Sequence, residues 1–272
     1  MTTLDNRLHL FDLRFYRAVE HPEISKEFQD FHQKELAKMK LDGMEFSNDT
    51  WMNNPHVFIM VLRNGDRMVG GSRIHLFHPE HPYPFEMAMD EQSPEKKVAL
   101  ERYMDKLQAE WCGLWLNTKF KGLGLAETMN RAAIGATHAM GLDIIFGICP
   151  RHTMDLFRTG GFRFMTLNDE VISFPYPTAD YVSYIIECEV KQMIFTFRTE
   201  KSLIKNWLES PVEKVESKGL LGDCIVQLNG FPELHDIELS TPSSKSRSLV
   251  RSNLYKFSKR FFNSDRGLPR AS

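Results

Sequence analysis

Cysteine is scarce in this chain and never closely paired: Cys112, Cys149, Cys188 and Cys224 stand far apart, with no CxxC among them. That spacing excludes a zinc ribbon and argues against a disulfide-stapled scaffold. Two of the four sit in apolar runs and read as reduced core thiols. No apolar run approaches the roughly 20 residues a membrane-crossing helix needs. Neither charge dominates, since 34 Lys and Arg against 36 Asp and Glu leave a formal net charge of −2. The balance gives no overall electrostatic case for nucleic acid as a partner. The opening MTTLDNRLHLF lacks the charged and apolar blocks of an export signal, so the expected location is the cytoplasm. No internal repeat is visible. What is present is an ordinary globular composition, 42% hydrophobic over 272 residues, enough for one large domain or one domain and an extension.

The chain is organised around Trp111 to Phe162. An apolar run bearing Trp111 and Trp115 reads as a buried strand, and Gly122 and Gly124 follow in a turn. Ala126, Met129, Ala133, Ala136 and Met140 recur at helical spacing, and Gly141 closes the helix. Ile144 to Cys149 reads as a second buried strand stopped by Pro150, and a short helix ends at Gly160 and Gly161. Glycines at a strand-to-helix turn let backbone approach a ligand closely, and the free N–H groups of a helix start favour an anion. A phosphate or pyrophosphate is the expected occupant.

Before this unit, Leu8 to Tyr16 reads as a strand and Ser25 to Met39 as a helix, ended by Asp42-Gly43. Asn64-Gly65 between two β-rich runs, His56 to Arg63 and Met68 to Phe77, is a hairpin signal, because both turn residues need positive φ. Gly70-Gly71 predicts a bulge or close backbone approach in the second strand. His75, His78 and His81 in HLFHPEHP read as exposed loop histidines, because the prolines break any helix face that would gather them on a metal. Ser93-Pro94 predicts a helix start, continuing through Val98, Leu100, Tyr103 and Leu107. After the glycine pair, Phe162 to Leu167 and Tyr181 to Val190 read as strands, with a loop at Ser173 to Thr178 between them. Thr199 would cap a short helix, and Leu221 to Leu228 would form one more strand. Beyond Ser240 the chain turns basic. Val250, Leu254, Phe257 and Phe261 lie on one helical stripe among Lys and Arg, suited to an anionic membrane surface, to a partner or to packing on the parent domain.

This order of elements resembles the GNAT superfamily of acyl-CoA-dependent N-acyltransferases. The resemblance spans roughly Leu8 to Val190 and is carried by Lys119-Phe120-Lys121-Gly122-Leu123-Gly124 and by Leu156-Phe157-Arg158-Thr159-Gly160-Gly161-Phe162. The first matches a pyrophosphate turn with lysine in place of the usual arginine or glutamine. A dinucleotide-binding unit would need a third glycine where Glu127 stands, and a P-loop would need Gly-Lys-Ser/Thr. The resemblance implies an α/β (α+β) fold with a mixed, mostly antiparallel central sheet flanked by helices. It divides the chain into an acyltransferase domain, 1–190, and a C-terminal extension with a basic tail, 191–272.

By the same resemblance, Gly122, Leu123, Gly124 and Leu125 cradle the pyrophosphate of acetyl-CoA or a longer acyl-CoA, with Lys119 and Lys121 adding charge. The strand at Leu114, Trp115 and Leu116 presents an N–H to the thioester carbonyl. Glu110 becomes the base that deprotonates an amine or amino acid acceptor, with Glu86 a second acidic group on the acceptor side. The superfamily's acid is a tyrosine where this chain has Phe157, which leaves His152 and Cys149 as candidates. Gly70-Gly71-Ser72-Arg73 resembles a strand of the autoinducer synthases and N-acyl amino acid synthases. On that reading Arg73 holds an acceptor carboxylate or a carrier phosphate, and acyl carrier protein is an alternative donor. Glu110-Trp111-Cys112-Gly113 keeps that branch's glutamate and lacks its arginine, which counts against homoserine lactone synthesis. A non-catalytic acyl-CoA-binding module is the remaining alternative.

Overall fold

The computed structural model describes residues 9–38, 49–92, 94–178 and 180–242. Strand β1 (His9–Arg17) leads into helix α1 (Pro22–Lys38), which opens on a proline whose missing N–H would have had no partner there. The expected hairpin is β2 (Val57–Asn64) and β3 (Arg67–Leu76), but its turn falls one residue later than expected: Asn64 pairs with Arg67 and is not at positive φ, and Gly65, at φ +59°, and Asp66 make the turn. β2 is buried at each position from Val57 to Leu62, as befits a strand covered on both faces. Next come α2 (Pro84–Gln92), β4 (Gln108–Leu116), α3 (Leu125–Ala139), β5 (Ile144–Pro150) and α4 (Met154–Arg158). Short strands β6 (Arg163–Phe164), β7 (Thr166–Leu167), β8 (Glu170–Val171) and β9 (Ser173–Pro175) precede β10 (Val182–Glu189). Helix α5 (Arg198–Glu209) and the hairpin β11 (Val212–Gly219) and β12 (Gly222–Asn229) complete the described elements.

One sheet runs β11-β12-β1-β2-β3-β4-β5-β10-β6, with β9 also on β10, and β7 and β8 pair separately. Its ladders are antiparallel except β1 with β12 and β4 with β5. Apolar side chains of α3, α4 and α5 form the largest core against one face. On the other face, α2 packs through Tyr83, Phe85 and Met89, and α1 through Phe28 beside Trp51 and Trp115. The mixed sheet flanked by helices is thus the architecture expected from the sequence. Among the described residues no helix is long and apolar enough to cross a membrane.

Several local expectations are corrected. Helix α2 occupies residues between the HLFHPEHP loop and Ser93 to which the sequence assigned no element. The helix expected to run to Leu107 is a 3-10 helix, Pro94–Tyr103, in which Leu100 and Tyr103, three apart, share one apolar cluster. Ser93 lies outside the described residues. The run Phe162 to Leu167 breaks into β6 and β7, and the Ser173 to Thr178 loop contributes β9. Helix α5 begins at Arg198 with no side-chain cap. Strand β11 carries Glu213, Lys214, Glu216 and Lys218, and charge on an edge strand hides its β-signal. Strands β11 and β12, within the expected C-terminal extension, join the central sheet: β12 lies parallel to β1, with His9 opposite Cys224 and Leu13 opposite Leu228. The basic stripe from Val250 lies outside the described residues.

Gly71 shows how closely α1 seats on the sheet. A Cβ there would lie 2.7 Å from the Met60 carbonyl oxygen and 2.8 Å from the Phe28 ring. Gly71→Ala is expected to destabilise the fold by about 1–3 kcal/mol, read from the urea midpoint. An unchanged midpoint would contradict this packing.

Candidate active site

The parallel ladder between β4 and β5 is short. Gln108, Ala109 and Glu110 pair with Ile144, Ile145 and Phe146, and pairing stops there although both strands continue. Beyond that point β4 carries a bulge. Gly71 faces Trp115 and Arg73 faces Cys112, so Gly113 and Leu114 together oppose Ser72. Gly113 takes a left-handed φ of +62°, as such a bulge requires. The inserted residue shifts the alternation, and the two tryptophans leave the sheet on opposite faces. Trp111 packs on Phe157 and Phe162 at ring distances of 5.5 and 5.9 Å, and its Nε1–H donates to Ser72 Oγ at 2.7 Å. Trp115 lies under α1, 6.2 Å from Phe28 and 6.0 Å from Phe31. Both side chains are core, and the buried Nε1 of Trp115 has no hydrogen-bond partner. Leu114 and Leu116 are half-buried.

The glycine turn follows directly. Gly122 and Gly124 have φ of +81° and +71°, and α3 starts at Leu125 without a side-chain cap. Leu123 and Leu125 are buried in the core, while Lys119, Lys121 and Gly122 are exposed. No backbone acceptor among the described residues takes the N–H groups of residues 122–125, so the turn fits an anion. The sequence reading of the glycines themselves needs correction. The space a Cβ would fill at Gly124 is occupied by the Lys218 carbonyl, 2.3 Å from that position, and Leu221 stands 2.7 Å from the equivalent position at Gly122. The close approach these glycines permit is to the chain's own β11–β12 hairpin.

The opposite face of β3 and β4 holds a buried polar cluster. Glu110 is fully buried; its Oε2 accepts from the Phe85 N–H at 3.1 Å and its Oε1 has no partner. Burial pushes its carboxyl up to about 8, against the lowering effects of the Phe85 N–H and Arg73, while Glu86 adds to the rise. Arg73 lies 4.6 Å over the Trp51 ring, and its Nε is buried without a hydrogen-bond partner. Around it the titratable groups are held neutral. His32 on α1 is lowered to about 3 by burial and by Arg73. His75, opposite Glu110 in the ladder, is lowered well below its ordinary value by the same causes. Cys112 is pushed up to about 12 by burial. Tyr83 is raised by burial and by Glu86 and Glu110. Gln29, Trp51, Tyr83 and Trp115 also keep buried polar atoms without partners, a concentration that calls for a ligand or water.

The remaining predicted residues are dispersed. Glu86, half-buried on α2, accepts from the Tyr83 N–H at 3.3 Å. His152 is exposed on the 3-10 turn after β5. Cys149 is buried and pushed up to about 11 by that burial, which makes it a poor proton donor. The histidines of HLFHPEHP are not uniformly exposed: His75 is buried in β3, while His78 is half-buried and stacks on His56 at 4.3 Å. Among the described residues no cluster of ligand types is suited to a metal ion. Gln29, His32, Trp51 and Tyr83 went unread in the sequence. Trp51 sits in the polar, irregular stretch from Met44 to Pro55, whose sequence reads as a loop or a short turn of helix and which holds a 3-10 turn at Thr50–Asn53, and polar side chains on the buried face of α1 carry no hydrophobic period.

No family model and no curated protein matches the sequence. Solved structures do match. The N-acyl amino acid synthase FeeM from uncultured soil microbes is 12% identical, covering 71% of this chain and 97% of its own, with a TM-score of 0.53. The CoA-dependent acyl-homoserine lactone synthase BjaI, solved with SAM and isopentyl-CoA, is 14% identical, covering 82% of this chain and 94% of its own, with a TM-score of 0.51. At these identities the likeness is one of fold. The fold is GNAT-like and resembles the autoinducer and N-acyl amino acid synthase branch.

Glu110 makes stability depend on pH. A carboxyl raised from 4.5 to about 8 on folding holds its proton in the folded state and loses it in the unfolded state between those values. Its contribution is therefore complete below about pH 4.5 and is lost as pH rises through about 8. Glu110→Gln, which cannot ionise, should gain stability relative to the parent between pH 5 and pH 9 by urea denaturation. A difference independent of pH would refute the raised carboxyl.

Proposed function

We propose that this chain is an acyltransferase that moves an acyl group from acyl-CoA to the amino group of a small amine or amino acid. The observation that carries this reading is one conjunction: β4 and β5 stop pairing beyond Glu110 and Phe146, and β4 runs on into a glycine turn and an uncapped helix. Acyl-CoA supplies an activated acyl thioester. The N–H groups of Gly122, Leu123, Gly124 and Leu125 would hold its pyrophosphate, with Lys119 and Lys121 beside them. The bulged strand at Leu114, Trp115 and Leu116 would present its backbone to the pantetheine arm, and an N–H there would polarise the thioester carbonyl.

On the acceptor side, Arg73 binds a carboxylate and Glu110 removes the proton from the ammonium group. Glu86 helps to hold Glu110 in the range where a base near neutral pH is useful. The departing thiolate takes its proton from His152, because Phe157 has none to give and Cys149 is too weak an acid. The neutral surroundings of Arg73 favour an amino acid over a simple amine. A half-buried guanidinium whose buried Nε lacks a partner attracts a carboxylate more strongly than it would in water.

Acetyl-CoA, a long-chain acyl-CoA and free CoA are each expected to raise the melting temperature, and an acyl-CoA with an amino acid is expected to release free thiol. Glu110→Gln should reduce kcat about 100-fold and leave CoA binding intact, and kcat/KM should climb with pH up to about 8. Arg73→Ala should raise KM for the acceptor about tenfold or more. If none of the three ligands shifts the melting temperature, the donor site is wrong. A shift without thiol release would leave a binding module that has no turnover.

A further inference from the structure

The β11–β12 hairpin grips the carbonyl side of the glycine turn. The Leu221 N–H donates to the Gly122 carbonyl at 2.9 Å. Ser217 Oγ donates to the Leu123 carbonyl at 2.9 Å, and Cys224 Sγ lies 3.6 Å from the same oxygen. Thr128 Oγ1, in the first turn of α3, donates to Ser217 Oγ at 3.0 Å. Ser217 and Thr128 are both buried, so this network is shielded from water and bridges the hairpin, the turn and the helix start.

The planarity of the peptide unit gives these contacts a directional consequence. In a trans peptide the C=O and the following N–H point to opposite sides. Fixing the Gly122 and Leu123 carbonyls toward the hairpin therefore aims the N–H groups of Leu123 and Gly124 away from it. Gly219 shows that the contact is built for closeness. It is not among the left-handed glycines, yet a Cβ there would lie 2.1 Å from the Gly122 carbonyl oxygen and 2.5 Å from the Gly124 nitrogen. Glycine is needed at that position because the turn is so near. Gly122 and Gly124 have the widest conformational freedom of any residues, and neither can hold a fixed orientation of N–H groups alone.

We infer that the β11–β12 hairpin positions the anion-binding turn: Ser217 and Gly219 set the direction of the N–H groups that would receive the donor's pyrophosphate. The inference rests on the donor reading given above and adds to it residues well beyond Val190, where the superfamily-like order of elements ends. Ser217 and Gly219 touch the turn and not the ligand, so theirs is a positioning role.

The test uses the full chain with free CoA as the probe. Ser217→Ala removes two hydrogen bonds, to the Leu123 carbonyl and from Thr128 Oγ1, and adds no atom, and Gly219→Ala forces the hairpin off the turn. Lys214→Ala, an exposed change on β11, is the control. Two quantities are read: amide hydrogen exchange at residues 122–126 without ligand, and the CoA dissociation constant by titration calorimetry. Both positioning variants should speed exchange at the turn and raise the dissociation constant about tenfold or more, which is about 1.4 kcal/mol, while Lys214→Ala changes neither. Gly219→Ala that exchanges and binds like the parent overturns the inference alone. Should Gly219→Ala fail to fold, Ser217→Ala decides by the same two readings. A parent that binds no CoA overturns the donor reading and this inference with it.

Discussion

The end of one short parallel ladder governs this molecule. Three residues of β4 pair with three of β5, and then the strands stop sharing hydrogen bonds while both continue. Backbone N–H and C=O groups that leave a ladder must find other partners or meet a ligand. The bulge at Gly113 begins three residues after the last paired position, turns the alternation of β4 and sends Trp111 and Trp115 into different cores. One inserted residue thereby anchors the strand from both faces and leaves its backbone exposed along the edge. The glycine turn and α3 follow on the same strand, so the opening and the anion site are set by consecutive pieces of chain.

The polar face is governed by burial. Glu110, His32, His75, Cys112 and Tyr83 are each driven toward their neutral form chiefly by loss of water. Arg73 keeps its charge, since a guanidinium cannot lose a proton in a protein. In the proposed reaction, a fixed cation among neutral groups would select an anion without needing a shaped cradle. A carboxyl poised near neutrality beside it would exchange a proton with an amine, so the proposed charge selection and proton transfer would both come from the same exclusion of water.

Much of the fold was legible in the sequence because apolar runs report burial directly. The run IIFGIC could only be interior, and Asn64-Gly65 set its hairpin. Elements built from polar or charged residues were not legible: β11 alternates charge along an edge, and Gln29 and His32 are buried without being apolar. Glu110 and Arg73 were singled out through family likeness; they lie on one face of β3 and β4, opposite His75 and Cys112 respectively, a cross-strand placement that no periodicity reveals. The glycines of the turn were read as a place of close backbone approach, and the atoms that fill the space of a Cβ there belong to Lys218 and Leu221.

That neighbour sets a condition on when the turn can exist. Leu123 and Ser217 are separated by 94 residues, and the hairpin reaches the turn only because β12 pairs with β1, which places His9 opposite Cys224. Contacts of such long sequence separation close late in folding, after the local hairpins and helices are in place. A chain emerging from the ribosome would therefore carry a finished β2–β3 hairpin well before its glycine turn had found its partner.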